Sequence, residues 1–117
     1  MTRQTSVFRL EEYRAKPRTV YFNRPELNEL LALYSRHVIR GIWRDYAIDH
    51  GDGQAIFSVF RHTHESAAYR VVKRVASGGR AGDFTVFAGL EKVASGANLR
   101  DALDIFRRKP WLVSGRR

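Results

Sequence analysis

The spacing of apolar residues changes at Gly41, and that change limits the fold more than any other feature of these 117 residues. Before it, Leu27, Leu30, Leu31, Tyr34 and Val38 stand at i, i+3, i+4, i+7 and i+11, one apolar stripe of an α-helix. Asn23 supplies the N-cap, Pro25 suits the first turn, and Glu26 completes an Asn-x-x-Glu capping box in which each side chain satisfies an orphan backbone N–H. Gly41 ends the helix because glycine takes the left-handed C′ conformation without a Cβ penalty. The spacing predicts a helix over 24–40.

After Gly41 the apolar residues alternate. WRDYAID (43–49), QAIFSVFRH (54–62), AAYRVVKRV (67–75) and DFTVFAG (83–89) read as four strands. They are separated by His50-Gly51-Asp52-Gly53, the THES turn and the SGGRAG loop, none long enough for a parallel crossover, so an antiparallel meander follows. TVYF (19–22) reads as a short first strand. Asn98, with Asp101 at N3, opens a second helix that places Leu99, Ala102, Leu103 and Phe106 on one side and stops before Pro110. The predicted fold class is α+β, in the order β-α-β-β-β-β-α. Both helices cover one face of the sheet and the other is left to water or a partner. Residues 18–112 form the single domain, preceded by a loosely ordered basic segment (1–17) and followed by a basic tail (113–117).

A chain of this length, 44% hydrophobic and 12% aromatic, can bury a core without staples. Cysteine is absent, which removes disulfides and thiolate metal sites. The first residues carry scattered charges rather than an apolar run, and the longest apolar run, LLALY, is far short of the ~20 residues of a membrane span. These features describe a soluble, cytoplasmic protein. The net charge of +9 is concentrated at the ends. Residues 1–23 hold five basic and two acidic side chains (+3), residues 98–117 hold six and two (+4), and the middle carries +2. Only Lys16, Lys73, Lys92 and Lys109 among the 21 basic residues are lysine. Arginine forks phosphate and carboxylate bidentately, which suits nucleic acid or an acidic partner, although codon bias produces the same excess.

The run from YFNRPELNELLALYSR through GIWRDYAID, AIFSVFRH and YRVVKR resembles a family of small bacterial proteins, found mainly in alphaproteobacteria and classed as a domain of unknown function. The similarity covers roughly residues 19–112. It implies a bacterial cytoplasmic protein and brings no catalytic residues.

Chemistry is sparse. FRHTHES (60–66) sets His62 and His64 two apart on one strand face, but zinc needs a third protein ligand. Glu65 would have to come from the opposite face or from the turn, and His50 lies ~26 Å along an extended chain from the THES end. No metal site is expected. Asp45 and Asp49 share a face ~13 Å apart, too far for paired acid–base work. SGGRAG joins two strands, so it lacks the helix terminus of a phosphate cradle. Phe57 and Phe60 oppose one another and cannot form the stacking platform of an RNA-recognition motif.

No catalytic residue and no cofactor is expected, and the chain reads as a non-enzymatic binding protein acting through a protein partner. Trp43, Tyr69 and Trp111 are its candidate interface aromatics. The alternative is a sequence-indifferent RNA or DNA binder. Its contacts, or those to an acidic partner, would be Arg61, the Arg70 and Arg74 row, and Arg107, Arg108 and Lys109 at the end of the second helix. Self-association is open, and no membrane role is indicated.

Overall fold

A computed structural model describes residues 19–62, 66–76, 78–79 and 81–114. Helix α1 spans Arg24–Ile39, and five strands follow: β1 Asp45–His50, β2 Gln54–Phe60, β3 Tyr69–Arg74, β4 Asp83–Ala88 and β5 Glu91–Gly96. Helices α2 (Leu99–Arg108) and α3 (Pro110–Ser114) complete the described chain. The strands form one antiparallel meander in the order β1-β2-β3-β4-β5. The α+β architecture and the antiparallel meander are those expected, and the element order is roughly so: the short first strand is reduced to a bridge, while a fifth strand precedes α2 and a short helix follows it.

TVYF contributes a single bridge, Thr19 to Asp52, rather than a strand, and the Val20 N–H donates to Gly51 O at 3.0 Å. Its apolar residues serve the core instead, for Val20 and Phe22 are both buried. Strand β5 was not predicted. EKVASG holds one β-branched residue among small and charged ones, and a register shift at Val86/Phe87 breaks the alternation. Pro110 begins α3 instead of only ending α2, since proline's missing N–H costs nothing at a first helical position. The expectations for residues 1–17, and for His64 and Glu65 in the THES turn, fall outside the described residues. So do Ser77 and Arg80 of the SGGRAG loop and the last three residues of the tail.

The register divides the sheet into two faces. Ala55, Phe57 and Val59 of β2 stand beside Lys73, Val71 and Tyr69 of β3, and these beside Phe84, Val86 and Ala88 of β4. That face lies under the helices and, with Leu30, Leu33, Trp43, Leu99, Ala102, Ile105 and Phe106, makes the core. Close approach of α2 depends on Gly96, where a Cβ would come within 2.8 Å of the Asp101 Cβ. The opposite face carries Ile56, Ser58 and Phe60, the row Arg70, Val72 and Arg74, then Thr85 and Phe87. Its centre is closed rather than open: Ser58, Val72 and Thr85 are all buried.

Candidate docking groove between the helices

Both helix starts are capped as the sequence predicts. The Asn23 N–H donates to Glu26 Oε1 at 2.8 Å and the Glu26 N–H to Asn23 Oδ1 at 2.9 Å; in α2 the Asp101 N–H donates to Asn98 Oδ1 at 2.9 Å. The same Glu26 oxygen accepts from Lys73 Nζ at 2.8 Å, and Lys73 also donates to Tyr21 O at 2.8 Å. One lysine of β3 therefore anchors the start of α1 to the sheet.

The end of α1 is a Schellman turn. Gly41, at φ +75°, donates to Val38 O at 2.8 Å, and Ile42 donates to His37 O at 2.8 Å. This reversal drops Trp43 into the core at 2% exposure. The indole meets His37 (centroids 4.4 Å apart), Phe106 (5.8 Å) and Tyr69 (6.1 Å), joining α1, α2 and β3. Its Nε1–H finds no acceptor among the described residues. His37 takes a place in the buried stripe that the spacing assigns to Val38, which is exposed. The reason is local, because the imidazole stacks on Trp43 and its Nδ1–H donates to Leu33 O at 2.8 Å. Burial lowers the His37 pKa, Arg36 and Arg40 push it the same way, and the Leu33 hydrogen bond opposes them. His37 is thus neutral at neutral pH.

Helices α1 and α2 run side by side in the same direction, for Glu29 and Arg100 bridge them at 3.4 Å with both N-termini on one side of the bridge and both C-termini on the other. Toward the C-termini they enclose a groove of about 830 Å³. Its apolar lining is Leu33 and Phe106, both buried, the half-buried Leu103 and the exposed Ala32 and Ile39, and its charged lining includes Arg36 and Arg40 on α1 and Arg100 and Arg107 on α2. Ile39 is 84% exposed. Arg100 pairs with Glu29, and Arg107 and Arg108 both pair with Asp104, at 2.7 and 2.9 Å. The Arg107 hydrogen bond in particular holds the Asp104 carboxyl below its usual pKa. Arg36 and Arg40 have no ion pair among the described residues.

The residues singled out in the sequence are dispersed by the fold. Trp43 and Tyr69 cannot be interface anchors in this structure, being 2% and 3% exposed. Trp43 is drawn in by the Schellman turn, and Tyr69 falls on the helix-covered face by strand parity. Trp111 is 45% exposed and follows Pro110, which lines the groove. Arg61 belongs to the core's edge, with its guanidinium 5.9 Å from the Tyr69 ring centre and donating to Leu112 O at 3.3 Å. Arg70 and Arg74 do share a face, half-buried, and Arg70 donates to Gly89 O at 3.0 Å. Arg107, Arg108 and Lys109 stand at the end of α2, on the helix side of the sheet, so the basic candidates form no single surface. Sequence reading missed Arg36, Ile39, Arg40 and Arg100. The Arg36-x-x-Ile39-Arg40 spacing was visible, but nothing in it shows that α2 lies alongside.

Among the described residues no three metal-ligating side chains gather, and no helix is long and apolar enough to cross a membrane. No curated protein and no solved structure matches the chain. A family model does, over residues 20–108, which takes in α1, the whole sheet and α2: the chain belongs to the family described as a protein of unknown function (DUF2794).

Proposed function

We propose that this is a non-enzymatic binding module that acts through a protein partner docked in the groove between α1 and α2. The observation that carries the reading is the pairing of an exposed apolar rim residue, Ile39, with an apolar floor and two arginines that no carboxylate of the described fold occupies. A hydrophobic groove is one of the recurring surfaces by which a protein receives a segment of another, and this one measures about 830 Å³. Catalysis finds less support. The shifted groups are Tyr34, His37, Tyr69 and Asp104; burial is the largest cause for the first three, the Arg107 hydrogen bond for the last, and no nucleophile–base pair lies among them.

The alternative, a sequence-indifferent nucleic-acid binder, keeps the Arg70 and Arg74 row as its support. It is the weaker reading, because Arg70 is engaged with Gly89 and Arg107 and Arg108 with Asp104.

A photo-cross-linking phenylalanine placed at position 39, and separately at the still more exposed Leu90 hairpin position, separates the two. A discrete, nuclease-resistant protein adduct from position 39 and none from position 90 is expected. Equal labelling at both positions, or adducts that vanish with nuclease, overturns the groove reading.

A further inference from the structure

We infer that the groove takes an acidic amphipathic helix of another protein, seating its apolar stripe on Ala32, Ile39 and Leu103 and pairing its carboxylates with Arg36 and Arg40. The inference rests on the groove being the docking surface and adds the chemistry of the occupant. Three observations select it.

The first is shape. Both walls are helices whose backbone ladders are internally satisfied, so an extended peptide would find no strand edge to join there, whereas a third helix can lay its side chains into the furrow between two others. The second is charge. The lining holds four arginines and two carboxylates, with His37 neutral, and each carboxylate already has an arginine. Arg36 and Arg40 stand one helical turn apart, an arrangement of like charges that weakens a helix unless an anion lies between or against them. A helix with Glu or Asp at the same one-turn spacing supplies that anion twice. The third is the apolar rim. Nucleic acid could answer the arginines, but its phosphates bring nothing to cover Ile39 beside Leu103. A helix with leucines at i, i+3, i+4 and i+7 covers both.

The test uses the full chain and two fluorescein-labelled designed helices of about 16 residues, long enough for stable turns when docked. They share one leucine stripe and differ only in flanks of glutamate or lysine. Fluorescence anisotropy should show the glutamate peptide binding at least about tenfold more tightly than the lysine peptide, which is the difference one well-placed ion pair in an apolar setting supports. The double charge reversal Arg36→Glu with Arg40→Glu should invert that preference. Both side chains are exposed, so circular dichroism and the melting temperature of the variant should match the parent. Ile39→Asp should weaken both peptides.

If the two peptides bind equally, or the reversal leaves the preference unchanged, the acidic partner is wrong; continued sensitivity to Ile39→Asp would then leave the groove reading standing. If neither peptide binds, the helical occupant is wrong. Should a duplex DNA of about 20 base pairs bind through Arg36 and Arg40 while ignoring Ile39→Asp, the surface is a phosphate site and the inference falls.

Discussion

At the N-terminal end of the helix pair Asn23, Glu26 and Lys73 complete one another, whereas at the C-terminal end Arg36 and Arg40 meet no carboxylate of the described chain. Both ends hold charged side chains on the same two helices, and each borders a hollow. At the first, every named polar group has a reciprocal partner, one of them reaching across from β3. At the second, the buried layer is aromatic, and of the charged groups above it Asp104 is matched by Arg107 and Arg108 while Arg36 and Arg40 are left over. Polar groups that hold a fold are matched within it, because an unmatched one costs stability when desolvated. Unmatched and exposed groups cost the fold little and stay available to a partner.

The largest expected effect tests what the C-terminal end stands on. Trp43 supports His37, Tyr69 and Phe106 together, so Trp43→Ala should cost about 3–5 kcal/mol by urea denaturation, the range for deleting a buried large aromatic. A loss below about 1 kcal/mol would mean that the aromatic layer does not carry this end.

Next comes the matched end. Glu26→Ala removes the reciprocal arm of the capping box together with the Lys73 bridge, whose partners are each only 16% exposed, and should cost about 1–3 kcal/mol. Combining it with Lys73→Met sharpens the comparison. Because Lys73 donates to the Glu26 Oε1 that also accepts from the Asn23 N–H, the double variant should be less unstable than the sum of the singles, with a coupling of about 0.5 kcal/mol or more. Strict additivity would show the bridge to be idle.

How much of this was legible in the sequence differs between the two ends for the same reason that their energetics differ. Capping is local: Asn23 with Glu26, Asn98 with Asp101 and Gly41 after α1 all act within a few residues, and all three were readable from spacing. The meander was readable because its links are short and its strands alternate. His37 was not, since a histidine in line with Leu30 and Leu33 reads as surface until Trp43 is brought beneath it by a turn. Trp43 and Tyr69 were misplaced by the opposite error, large aromatics being counted as contact residues when their burial is a tertiary outcome. The edge strand β5 escaped because its pairing is set by β4 and its packing by Gly96 against α2, not by its own composition. The groove is tertiary throughout, made by two helices separated by the whole sheet in sequence.

Acid gives a smaller probe of the C-terminal end. The His37 pKa is lowered in the fold, mainly by burial, so the unfolded chain takes up this proton first as pH falls. The stabilising contribution is therefore complete above the ordinary histidine value of about 6.5 and declines as pH drops below it, until the folded-state pKa is passed. Urea midpoints measured from about pH 8 to pH 5 should fall on the acid side, and His37→Phe should flatten that slope. A wild-type midpoint unchanged across this window would show that His37 titrates as freely as in the unfolded chain.

The smallest expected effect is the most discriminating, because here the comparison predicts almost nothing. Arg36→Ala and Arg40→Ala each remove a solvent-exposed side chain that is not ion-paired in the described fold, so each should alter stability by no more than about 0.5 kcal/mol. The sign should lean toward gain, since either substitution relieves the one-turn repulsion, by about 0.2–0.5 kcal/mol, although each also gives up a favourable charge near the helix C-terminus. Arg107→Ala and Arg108→Ala provide the contrast: both lose a bond to Asp104 at 2.9 Å and should not gain. Thermal melts in low salt, where surface charge is least screened, resolve the two cases. If Arg36→Ala or Arg40→Ala lowered the melting point as far as Glu26→Ala does, that arginine would be fold machinery. The contrast between a matched and an unmatched end, and with it the reason for looking there for a partner, would be lost.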